Sequence, residues 1–125
     1  MKIEKAVETL KVYIGKDSIK KINSQKYEIE TKLIHLGSLD PLKIYLVELN
    51  EKLYFADYGY ILNEFNSPKL SEDKFKFLYN FLQKSKIDFE NNERLFMETN
   101  DEKIVFDYNL FVIGISILQS ILVDF

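Results

Sequence analysis

The 125-residue chain predicts an α+β fold, an antiparallel sheet of about five strands with N-terminal, middle and C-terminal helices packed on it. Three observations carry that expectation. Residues 27–33, 43–49 and 53–56 read as consecutive strands joined by turns. Residues 3–14 and 72–84 carry apolar side chains at helical spacing. Asn109–Val123 holds no charged residue, which suits a helix laid across a sheet. With 46% hydrophobic and 30% charged residues, residues 1–125 make one domain with a single core.

In chain order, Ile3, Ala6, Val7, Leu10, Tyr13 and Ile14 form one helical stripe, and Gly15 stops that helix. Lys16–Gln25 is polar and basic, with Ile19 and Ile22 spaced for one more turn, and reads as a short second helix or a loop. Tyr27–Leu33 alternates apolar and polar, a half-buried strand. Gly37–Pro41 is a loop, and Lys43–Leu49 is a central strand, apolar on both faces. Asn50 and Glu51 turn tightly into Leu53–Ala56, which completes a three-strand meander. A short helix over Tyr60, Ile61, Leu62 and Phe65 follows, and Asn66-Ser67-Pro68 breaks the chain.

Ser71 is the expected N-cap of the helix Glu72–Lys84, with Leu70 and Phe75 as its hydrophobic staple. That helix buries Phe75, Leu78, Phe81 and Leu82. Asp88–Asn92 reads as a polar loop, and Arg94–Thr99 with Lys103–Phe106 as a second hairpin around Asn100-Asp101-Glu102. Asn109–Val123 reads as a helix whose narrow solvent face is Ser116, Gln119 and Ser120, with a strand over Phe111–Ile117 as the alternative. It is shorter than the about 20 apolar residues of a membrane span, so no membrane partner is expected.

Composition excludes several chemistries. The absence of cysteine rules out disulfides and thiolate metal sites, and His35 is the sole imidazole. The four glycines, at 15, 37, 59 and 114, are too scattered to cradle a phosphate. Neither a cofactor nor a metal is expected, and no residue is assigned a catalytic role. Met1 opens a charged amphipathic segment rather than an apolar signal-peptide core, which predicts a cytoplasmic protein.

Net charge is −3, unevenly spread. Residues 1–26 hold seven lysines against three acids, while residues 27–66 hold three against seven. The basic arm of Lys11, Lys16, Lys20, Lys21 and Lys26 therefore sits on an acidic body. It is compatible with loose nucleic-acid contact. Sequence-specific readout favours arginine, and Arg94 is the only one. Glu30-Thr31-Lys32, with Asp17 upstream, faintly resembles the metal-binding pattern of restriction-type nucleases, but an exposed strand face looks the same.

One local stretch looks chosen for something other than a core. Lys52–Ala56 runs into Asp57-Tyr58-Gly59-Tyr60, where Asp57 can bond backbone groups and Gly59 is free of Cβ constraint. Asp57 and its neighbours are thus the candidate partner-binding site, with Tyr58 and Tyr60 as aromatic anchors. The competing roles are a helix cap for Asp57 and core packing for both rings.

Leu53–Leu62 resembles a bacterial and phage family known as domain of unknown function 1828. There a strand pair leads into a Thr-Asp-Asp-Gly turn and a short helix; Ala56 and Tyr58 depart from that pattern here. The resemblance, which spans residues 27–123 in element order, supplies no chemistry, only a phage or mobile-element setting. It implies a small non-enzymatic accessory protein that binds a host protein, such as an inhibitor of host defence of the anti-CRISPR type. The alternatives are a metal-dependent phosphodiesterase built on Asp57 and a subunit that self-associates as a homo-oligomer through a strand edge or the C-terminal helix.

Overall fold

The computed structural model describes residues 2–34, 39–57, 72–90 and 94–123. Helix α1 (Lys2–Ile14) and a 3-10 turn (Lys16–Ser18) lead into β1 (Ile19–Asn23), β2 (Lys26–Ile34), β3 (Pro41–Leu49) and β4 (Lys52–Ala56). Helix α2 (Glu72–Ser85), strands β5 (Asp88–Glu90) and β6 (Arg94–Thr99), and helix α3 (Ile104–Val123) follow. The six strands form one sheet in the order β1-β2-β3-β4-β6-β5, every neighbouring pair antiparallel. The expected α+β architecture is present.

Register assigns the two faces, because side chains alternate along each strand. Tyr27 lies across from Leu46, Leu46 from Phe55, and Phe55 from Met97. All four are buried, in one cluster with Ile3, Ala6, Val7 and Leu10 of α1 and Tyr108, Phe111, Ile115 and Leu118 of α3. Phe81 of α2 packs at its margin. The opposite face carries the row Lys20, Glu28, Tyr45, Ala56, Phe96 and Asp88. There Lys43 pairs with Glu28 and Lys52 with Glu98, each at 3.6 Å.

α1 is fixed at both ends. Glu48 of β3 accepts the Ile3 N–H at 3.0 Å, satisfying one of the donors a helix start leaves open and complementing its positive pole. Gly15, at φ 97°, ends the helix where an L side chain would be strained, and its N–H donates to the Lys11 carbonyl. Asn50 and Glu51, at φ 50° and 65°, make the β3–β4 turn with the left-handed geometry that matches strand twist.

Four segments differ from the sequence expectation. Ile19–Asn23 is the edge strand β1, not a helix or loop; only Ile19 is buried, so an edge strand leaves no alternation to read. Asp88–Glu90 is strand β5 rather than loop, paired with β6 in the hairpin that Lys103–Phe106 was expected to form. The Asn100 side chain instead accepts the Lys103 N–H at 2.9 Å, and the chain enters α3 at Ile104. Gln119, assigned to the solvent stripe, is buried and donates to the Ile34 carbonyl at 3.4 Å. The short helix over residues 60–65, the Ser71 cap, His35 and the side chains of Phe75, Leu78 and Leu82 lie outside the described residues.

Gly114 lets α3 approach the chain after α2: a Cβ there would collide with Ile87 Cδ1. Alanine gains about 1 kcal/mol of helix propensity, but overpacking a filled core costs about 1–3 kcal/mol. Gly114→Ala should therefore lower stability to urea. Ile87→Val, which removes the colliding methyl, should restore it in the double variant beyond the sum of the single effects.

Tyr108 supplies a pH signature. Burial, then the neighbouring Tyr13, raises its pKa above the ordinary 10.0, so folding favours the neutral phenol. That contribution is complete below pH 10.0 and is lost as pH rises through the folded-state value. Alkaline unfolding followed by circular dichroism should show a shallower decline in Tyr108→Phe.

Candidate functional site

Asp57 follows directly on β4 and is fully buried. Its N–H donates to the Leu95 carbonyl at 3.1 Å, and its Oδ1 accepts the Leu95 N–H at 2.9 Å. In an antiparallel ladder two such residues exchange both main-chain bonds. Here the carboxylate accepts the bond that the Asp57 carbonyl would take, as the chain leaves the sheet. Asp57 thus holds the end of β4 to β6. Tyr58, Gly59 and Tyr60 lie outside the described residues.

Asp107, in the first turn of α3, is a second buried carboxylate. Its Oδ2 accepts the Thr99 hydroxyl at 2.8 Å, while Oδ1 has no hydrogen-bond partner among the described residues. The helix start there favours negative charge. Among the described residues no three His, Asp or Glu side chains converge as metal ligands. Glu30, Lys32 and Asp17 of the nuclease-like pattern are all exposed.

The basic arm is divided by the fold. Lys11 pairs with Glu8 along α1 at 3.4 Å. Lys26 sits 4.8 Å above the Tyr45 ring, a cation–π contact on the sheet's outer face. Lys16, Lys20 and Lys21 are exposed around β1, and none has an ion-pair partner among the described residues. In register Lys20 lies across from Glu28 and Lys21 from Tyr27, so these two lysines flank the edge on opposite faces. Ile22 beside them is 44% exposed.

Sequence reasoning missed the outer side of α3. Phe106, Ile113 and Ile117 are 62%, 56% and 40% exposed, on a helix whose inner side fills the core. The available signal was the charge-free run Asn109–Val123, apolar all around the helix rather than along one stripe. Between α3 and the end of β2 lies a cleft of about 320 Å³ lined by Lys32, Leu33, Ile34, Ser116, Gln119 and Ser120. Among the described residues Lys32 is its only charged lining group.

Removing the Asp57 carboxylate strands the buried Leu95 N–H, at a cost of about 1–3 kcal/mol. Asp57→Ala should lower the urea midpoint accordingly. Asp57→Asn, which keeps an acceptor oxygen, should lose less.

The family described as Domain of unknown function DUF1828 matches residues 34–116. Neither the curated proteins nor the solved structures contain a match to this chain.

Proposed function

We propose, from the premise that this chain belongs to the DUF1828 family, that it is a non-enzymatic accessory protein of a phage or mobile element which binds a host protein. Inhibitors of host defence, anti-CRISPR proteins among them, act in this way. The observation that carries the reading is the β1 edge. It is the outermost strand of an open sheet, and its outward main-chain groups can pair with an added strand. Lys16, Lys20 and Lys21 surround that edge on a protein of net charge −3. Lysines on an edge discourage pairing with neutral or basic strands and admit an acidic one. The partner of this reading is a host protein that presents an acidic extended segment.

A metal-dependent phosphodiesterase centred on Asp57 draws no support from the geometry. That carboxylate is sealed from solvent and occupied by the Leu95 N–H. Lys11 is paired with Glu8 and Lys26 lies over the Tyr45 ring, which ties both side chains to the fold.

The test is a tagged pull-down from a bacterial lysate, with two variants as controls. One stoichiometric host protein should be captured, and Lys20→Glu/Lys21→Glu should reduce its recovery at least about tenfold, two reversed charges removing the complementarity. Tyr58→Ala/Tyr60→Ala reports separately on the residues after Asp57. Capture unaffected by the edge variant would move the site away from β1. A folded bait that retains nothing, or only nucleic acid, would sink the reading.

A further inference from the structure

The outer side of α3 has the geometry of a helix seam. Phe106, Leu110, Ile113 and Ile117 are spaced by four, three and four residues, the a/d repeat of paired helices. Leu110 is half-buried and the other three are well exposed. A helix apolar on its inner and outer sides is normally covered on both. We infer that this face pairs with the same face of a second copy, making a homodimer across a twofold axis through α3.

Charge selects the second copy as occupant. From Asn109 to Val123 the helix carries no ionisable side chain, so the stretch of seam from Leu110 to Ile117 meets its own copy without like-charge repulsion. A foreign protein surface, typically rich in charge, would find nothing here to compensate the charges it buried.

The polar groups beside the seam already have partners. Ser120 donates to the Ser116 carbonyl at 3.1 Å, and Asn109 donates to the Val105 carbonyl at 3.1 Å and to the Tyr13 hydroxyl at 3.0 Å. Covering them therefore strands no hydrogen bond.

Area agrees. Tyr13 of α1, 52% exposed, stands beside the seam through its bond with Asn109. With the α3 side chains it offers on the order of 400 Å² per copy, so two copies bury about 800 Å², the range of weak, transient contacts. This predicts a reversible dimer whose population follows concentration. The contact leaves the β1 edge unused, so it stands or falls independently of host-protein binding.

Sedimentation equilibrium of the full chain decides it. The native protein should pass from 14.8 kDa towards twice that mass as concentration rises. Ile113→Glu and Ile113→Lys should each stay at 14.8 kDa at every concentration, and an equimolar mixture of the two should recover the doubled mass. Because Ile113 faces outward, both variants should keep the native circular dichroism melt. If either does not, Ile113→Ser provides the same comparison without a charge. A native protein that is monomeric throughout, or a dimer that Ile113→Glu and Ile113→Ser leave intact, overturns the inference.

Discussion

The structure depends on one stacked pair. Phe55 of β4 and Phe111 of α3 are both fully buried, with ring centroids 5.9 Å apart and planes inclined by 22°. Offset stacking at that distance adds to the large area each ring removes from water. β4 is the last strand of the meander and pairs with β6 of the β5–β6 hairpin, so a helix anchored on Phe55 spans the join between them. Tyr108 meets the same ring edge-on at 6.0 Å and Tyr13 of α1 at 6.4 Å, which extends the anchor to the N-terminal helix.

Asp57 shows how a residue that looks functional can be structural. A carboxylate between an aromatic strand and a glycine turn suggests chemistry, yet the ladder it completes explains it. The same accounting leaves the surfaces as the informative part of the molecule. The sheet ends in a lysine-bordered edge, and the helical layer presents an apolar seam. Charge marks the first surface and its absence marks the second.

Much of this was legible because local pattern and tertiary environment agreed. Ile3, Ala6, Val7 and Leu10 marked α1, alternation marked β2, and the doubly apolar Lys43–Leu49 marked a central strand. β1 was hidden because an edge strand with one buried residue has no pattern to display. Lys103–Phe106 misled through its β-branched Ile104 and Val105, whose strand preference yields to the Asn100 turn and to packing of Ile104 in the core. Of the polar stripe on α3, Ser120 is exposed and Ser116 half-buried, and only Gln119 turns in to the end of β2. Gln119 is spent on the Ile34 carbonyl, leaving isoleucines to face outward.

The order of strands has a consequence for how the chain acquires its shape. β1 to β4 are neighbours in sequence as in space, so the meander closes through short loops and can form early. Leu53 must then wait for Thr99, and Phe55 for Phe111, before the remaining strands and the last helix cover the apolar face. During synthesis the meander emerges from the ribosome with only α1 to cover that face. Chaperone contact and self-association compete with α3 during that interval.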